Sequence, residues 1–154
     1  MPVPLKYAVV ERERRFLVGS LPEGVRSVHR IEDRYLTGTR LRLRAVWDTD
    51  GRVTRKLAHK VRLTQSPAEV ACTNFYLDEP EWAVLESLPA RTLRKTRYVV
   101  RRDGWTIAVD EHEDGTLVAE IDDRDQPSEV VPDWLDVLAD VSDDEQWTGA
   151  QLAR

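Results

Sequence analysis

The sequence predicts a mainly β protein: an eight-stranded antiparallel barrel that closes into a tunnel, polar inside and covered by a few helices. Three observations carry this reading. Short segments rich in β-branched and aromatic residues recur through the first 122 positions. The stretches joining them are turn sequences, notably Asp48-Thr49-Asp50-Gly51, Asp103-Gly104 and Glu113-Asp114-Gly115. Charged residues also return at every second position of several segments, so they share one face of a strand.

The strands follow in order. Tyr7–Val18 opens the chain, then come Val28–Leu36, Thr39–Trp47 and Arg52–Leu63. Val70–Leu77 is the fifth. After one helix, Thr92–Arg102 and Trp105–His112 form a hairpin across Asp103-Gly104, and Thr116–Asp122 is the eighth. The helix is signalled by Asp78 as N-cap and Pro80 in the first turn, where a missing N–H costs little. Trp82, Leu85 and Leu88, with Val84, make its apolar stripe, and Pro89 ends it. Further helical segments are expected from Pro132 or Asp133 to Leu138 and from Thr148 onward. The C-terminal region, about 132–154, then becomes a candidate plug over one mouth, seated by Trp134, Leu138, Trp147 and Leu152.

The chain has 154 residues, 41% hydrophobic and 33% charged. That suits one domain, residues 1–154, with enough apolar content to exclude wholesale disorder. One cysteine, Cys72, rules out an intrachain disulfide and a cysteine-rich zinc site. The scattered His29, His59 and His112 do not suggest zinc either. No run approaches the roughly 18 apolar residues of a membrane span. The opening MPVPLKYAVVERERR lacks a signal-type apolar core, so a cytoplasmic location is expected. Net charge is −5, unevenly spread: residues 1–110 carry 21 Lys/Arg against 14 Asp/Glu, and residues 111–154 carry 2 against 14.

The strand faces are the informative feature. Arg40, Arg42 and Arg44 share one face of the third strand, opposite Leu41 and Leu43. Lys56 and Lys60 share a face of the fourth, and Lys95 and Arg97 a face of the sixth. Glu11, Glu13 and Arg15 share a face of the first, and Glu120 and Asp122 a face of the last. A solvated sheet face accounts for any one of these patterns. Together they set like charges side by side, which repel unless opposite charge lies between them. A polyanion with a divalent cation satisfies both sets. Guanidinium and ammonium groups hold phosphate oxygens, at roughly 1.5–3 kcal/mol for each charge-assisted hydrogen bond, and carboxylates hold Mg2+ or Mn2+.

The ordered motifs resemble a known family. Glu11-Arg12-Glu13-Arg14-Arg15 is similar to the E-x-E-x-K opening strand of the CYTH superfamily, the triphosphate tunnel metalloenzymes. Asp33-Arg34-Tyr35-Leu36, Leu41-Arg42-Leu43-Arg44, the segment ending at Lys60, Leu93-Arg94-Lys95-Thr96-Arg97-Tyr98, Val109-Asp110, Leu117–Asp122 and Asp140–Asp144 resemble its later motifs in order, and Trp147–Ala153 resembles its C-terminal segment. The resemblance spans nearly the whole chain. It implies an eight-stranded tunnel and divalent-metal-dependent hydrolysis of inorganic triphosphate or a small organic triphosphate. Metal would fall to Glu11, Glu13, Glu120 and Asp122, with Asp110 as a further acidic member. Phosphates would fall to Arg42, Arg44, Lys60, Lys95 and Arg97, joined by Arg40 and Lys56. Glu11, Glu13 and Arg15 would form the catalytic group.

The chain departs from the family pattern at several points. Arg15 stands where the family has lysine, and Asp122 and Asp140 where glutamate is usual. Cys72 and Asn74 occupy the two glutamate positions that many members carry in the fifth strand. Those two residues motivate an alternative, a polyphosphate- or nucleotide-binding protein of the same fold without turnover. ATP cyclisation, a third activity in the family, has no adenine pocket legible here. A stable nucleic-acid complex is not expected, because aromatic residues are only 7% and the net charge is negative. A membrane partner is not expected, and a homodimer is compatible with the sequence.

Overall fold

The computed structural model describes residues 2–154. Eight antiparallel strands form a closed barrel: β1 (Val9–Val18), β2 (Val25–Leu36), β3 (Leu41–Asp48), β4 (Val53–Arg62), β5 (Glu69–Tyr76), β6 (Ala90–Arg102), β7 (Trp105–His112) and β8 (Leu117–Asp122). Their order is β5-β4-β3-β2-β6-β7-β8-β1, and β1 returns to β5 to close the ring. The closing seam is short, from Val9 opposite Cys72 to Arg12 opposite Glu69. The sequence-based strands are all present, β7 with the expected bounds and the other seven with shifted ends. β1 begins at Val9 rather than Tyr7, because Lys6 and Tyr7 form a turn. β2 starts at Val25, past a bulge between Val25 and Ser27, and β6 starts at Ala90, directly after Pro89. The Asp103-Gly104 turn places both residues at positive φ (51° and 81°), which an Asp-Gly pair adopts readily.

The expected helix is α1 (Glu79–Glu86). Asp78 and Glu81 form a capping box: the Glu81 N–H donates to Asp78 Oδ1 at 2.9 Å, and the Asp78 N–H to Glu81 Oε1 at 3.0 Å. The helix is tethered to the outside of the barrel by Arg34, which donates to the carbonyl of Glu86 at 3.1 Å, and by an Arg55–Glu79 ion pair at 3.6 Å. Trp82 and Leu85 are half-buried, whereas Val84 and Leu88 remain exposed.

The expected helix from Pro132 or Asp133 to Leu138 does not form. Residues 132–135 make a turn closed by the Leu135 N–H on the Pro132 carbonyl, and Val137–Asp140 is instead a ninth strand, β9. β9 pairs with β1 at Phe16–Val18, where β5 no longer reaches. The open edge of β1 supplied a partner that local periodicity could not reveal. Before it, the 123–135 segment lies over the barrel exterior. It is tied by Arg14, bidentate to Asp123 (2.7 and 2.9 Å) and donating to the Val130 carbonyl (2.7 Å). Val131, Trp134 and Leu135 thereby pack on Phe16, Val18, Val100, Ile107, Val109 and Ile121, and this outer layer is the hydrophobic core. The core lies outside the barrel because the lumen is charged.

The last segment is a 3-10 turn (Glu145–Trp147) followed by α2 (Gly149–Leu152), shorter than a helix running from Thr148 to the chain end. It crosses one end of the barrel. Thr92 and Arg154 exchange backbone hydrogen bonds at 2.8 and 3.0 Å, which fasten it to β6. At Gly149 a side chain would strike the Tyr35 hydroxyl. Gly149→Ala should therefore cost about 1–3 kcal/mol in thermal unfolding, and Tyr35→Phe in the same chain should recover part of it. Equal losses in the single and double variants would refute this contact.

Candidate functional site

The alternation read from the sequence holds around the barrel. β3 turns Arg42 and Arg44 inward and Leu43 and Ala45 outward, and all four are buried. Inside lies a cavity of about 170 Å³. Its cations are Arg15, Arg42, Arg44, Lys56, Lys60, Lys95 and Arg97, and its carboxylates are Glu11, Glu13 and Glu120. Tyr35, Asn74 and Gly149 complete it. One mouth, of about 230 Å³, adds Arg40 and Arg62 and lies beside α2. The other, of about 260 Å³, shares Arg44, Lys56 and Arg97 with the cavity and adds His29, Asp48 and Tyr76.

Two carboxylates anchor the cations. Asp33, fully buried, stands opposite Arg44 in register and accepts both of its donors at 2.6 and 2.7 Å. Asp110, 1% exposed, takes Lys95 at 2.8 Å and Arg97 at 2.7 and 2.9 Å. Burial alone would raise both carboxyl pKa values. The guanidinium and ammonium partners outweigh it and hold both far below the usual carboxylate range. Asp33 and Asp110 therefore act as fixed counter-ions behind the cavity wall.

Arg42 is different. It is only 6% exposed, its Nε has no hydrogen-bond partner, and its distance to Asp33 is 4.0 Å. Burial and then repulsion from Arg44 push its pKa down. Lys56 faces the same excess: burial, followed by Arg44, Arg42, Arg97 and Lys60, lowers its pKa to about 8 from 10.5. Seven cations face three glutamates, and Asp33 and Asp110 raise the carboxylates to five, so positive charge remains in excess.

The acidic side is also under strain. Glu13 has a raised pKa, first because Glu120 faces it and then because of burial. Arg15 lies loosely between them, 3.5 Å from Glu13 and 3.7 Å from Glu120, and its Nη1 is buried without a partner. Lys60 reaches Glu11 at 3.4 Å, and Arg97 reaches Glu120 at 3.3 Å. Among the described residues no three His, Cys, Asp or Glu side chains are gathered as a metal cluster. The donors nevertheless fit a hard divalent cation: Glu13 and Glu120 face each other across a loosely held Arg15, the repulsion raises the Glu13 carboxyl, and both offer carboxylate oxygens.

The sequence-based site residues mostly converge. Glu11, Glu13, Arg15, Arg42, Arg44, Lys56, Lys60, Lys95, Arg97 and Glu120 line the cavity, and Arg40 lines one mouth. Asp110 is present as a counter-ion with both oxygens engaged. Asp122 is exposed; it stands opposite Glu13 in register but accepts the N–H of Arg124 and is not part of the cavity wall. Asp140 is likewise exposed, and its Oδ1 accepts from the Ser142 N–H and hydroxyl. Four site residues carry no site signal in the sequence pattern: Asp33, Tyr35, Arg62 and Gly149. Asp33 and Tyr35 lie two apart on β2, so the inward face was legible once Asp33 was set against Arg44. Cys72 is buried and shares the inward face of β5 with Asn74, whose side-chain amide donates to its Sγ at 3.5 Å.

No family model matches the chain, and no curated protein does. Solved structures do. The hypothetical protein NE1496 aligns over 93% of this chain and 97% of its own, with TM-score 0.58 and 21% identity. A conserved hypothetical protein from Pyrococcus furiosus, Pfu-838710-001, covers 80% of each chain at TM-score 0.55 and 23% identity. The PH1012 protein of Pyrococcus horikoshii OT3 covers 72% of this chain and 77% of its own at TM-score 0.54 and 18% identity. Among the described residues no helix is long and apolar enough to cross a membrane. These likenesses bear on the fold: the chain is a closed antiparallel β-barrel of the kind those three proteins share.

Proposed function

We propose that the tunnel binds the phosphate chain of a triphosphate-containing small molecule and, with Mg2+ or Mn2+, hydrolyses it. The observation that carries this reading is the surplus of enclosed cations around Arg42, a buried guanidinium with an unused donor. A buried charge without a partner is costly to hold, and a polyanion relieves that cost. Arg42, Arg44, Lys60, Lys95 and Arg97 grip phosphate oxygens and offset the charge that develops on the leaving oxygen. Arg40 draws the anion to the mouth. Glu11, Glu13 and Glu120 are the residues that would hold the metal, and when bound it would supply positive charge that polarises the phosphate for attack. In hydrolysis a water oxygen bonds to the terminal phosphorus, the bond to the bridging oxygen breaks, and the water proton is lost to solvent. Orthophosphate and the shortened phosphate chain leave.

The experiment is phosphate release from tripolyphosphate with Mg2+ or Mn2+. Wild type should release it, and Glu13→Ala should be slower by roughly 10²–10³-fold. Equal, background-level release by both would overturn hydrolysis. A second reading, binding without turnover, is favoured by Asn74 on the cavity wall and Cys72 on the same inward face of β5, where carboxylates would extend the acidic side. Calorimetric binding of tripolyphosphate with no release over hours would select it.

Lys56 gives this reading a pH signature. Its amine is partly deprotonated near pH 8 in the free protein. A bound polyanion restores the ammonium, so binding should take up protons between about pH 8 and 10 and weaken as pH rises through that range. Calorimetry in buffers of different ionisation enthalpy measures the uptake. Lys56→Met should abolish it.

A further inference from the structure

β5 has a neighbour on both sides for only half its length. β4 runs beside it from Val70 to Tyr76, but β1 meets only Glu69–Cys72. The chain ahead of β1 turns away at Lys6 and Tyr7, with the Ala8 N–H on the Leu5 carbonyl, and does not continue beside Thr73–Tyr76. Alternate backbone groups of Thr73–Tyr76 therefore point away from β4, with no strand to receive them among the described residues. Edge strands usually protect themselves with lysine, proline, a bulge or an added strand. The other half of β1 has such cover in β9. Among the described residues the β5 edge has none. No charge occurs between Glu69 and Asp78, and Phe75 and Tyr76 are 56% and 74% exposed. Val9, opposite Cys72 at the end of the seam, is 68% exposed.

We propose that this edge is where a second copy of the chain docks, with β5 of each protomer antiparallel to the other across a twofold axis. Twofold pairing sets a segment against itself, so any charge it carried would oppose its own kind. The absence of charge over Val70–Leu77 removes that obstacle and gives no electrostatic reason to select a different, charged partner. Each copy brings the same unpaired backbone groups, and the pairing satisfies both sets at once. Phe75, on the outer face of β5, is carried to the axis. This interface is independent of the triphosphate reading.

The test is molar mass by light scattering from micromolar to near-millimolar concentration. The wild type should reach twice the mass of one chain. Phe75→Glu should return it to a single-chain mass with its melting temperature otherwise kept. Leu138→Glu, at an exposed apolar residue on β9, should leave the dimer intact. Amide exchange of wild type should show Thr73–Leu77 protected at high concentration and unprotected on dilution, a readout that stands even if the Phe75 variant fails to fold. A single-chain mass for wild type throughout, or a dimer that Leu138→Glu splits and Phe75→Glu does not, would overturn the proposal.

Discussion

Asp110→Asn should be among the most destabilising single changes in this chain. Asp110 is 1% exposed and is the shared counter-ion of Lys95 and Arg97. The amide keeps the shape but removes the charge, and two buried cations are left facing an already cationic cavity. Breaking a buried pair in this way costs about 3–5 kcal/mol, which in a domain of this size lowers the melting temperature by roughly 6–20 °C. Tripolyphosphate should recover more of the loss in the variant than it adds to wild type, because the anion replaces the missing charge. Asp114→Asn, at an exposed turn, should lower the melting temperature far less than Asp110→Asn. The pH dependence has the same origin. The folded Asp33 and Asp110 carboxyls lie below their unfolded values. Their contribution is present above about pH 5 and is lost as pH falls toward and through the folded values. Acid titration of the melting temperature should thus fall steeply for wild type and less steeply for Asp110→Asn.

The barrel was legible because strand alternation is a period-two signal and charge marks it as clearly as hydrophobicity does. Arg42 and Arg44 on one face of β3, with Leu43 on the other, fix which side is lumen once several strands agree. What the sequence hid were contacts between distant segments. Val137–Asp140 has no strong strand signal, and it becomes β9 because residues 16–18 of β1 offer an open edge. The exposed position of Asp122 depends on where β8 ends and the chain turns at Arg124, and face alternation does not report depth along the tunnel. The role of Asp33 as a counter-ion is not legible locally, since the Asp33–Arg44 pairing follows from register, and register needs the neighbouring strand. The Gly149–Tyr35 contact joins positions on opposite arms of the fold, so no local pattern contains it.

Arg42 and Arg44 should respond to removal with opposite signs in stability, although they lie two residues apart on the same face of β3. Arg44 holds Asp33 with two short hydrogen bonds. Arg44→Leu strands that carboxylate and should cost about 3–5 kcal/mol. Arg42 has no such partner: its Nε is unsatisfied, and burial and Arg44 both work against its charge. Arg42→Leu removes a cation that the folded protein holds at a cost, so stability should stay level or rise by about 1 kcal/mol. Tripolyphosphate affinity should nevertheless fall by roughly 10–100-fold in this variant, the equivalent of one charge-assisted contact. Thermal unfolding and calorimetry on the two proteins measure both quantities. A group that exists to fold the barrel loses stability when removed, whereas a group kept for a ligand loses binding. Arg42→Leu that melts as low as Arg44→Leu, with tripolyphosphate binding unchanged, would place Arg42 in the first class and remove the strongest physical reason for an anion in the tunnel.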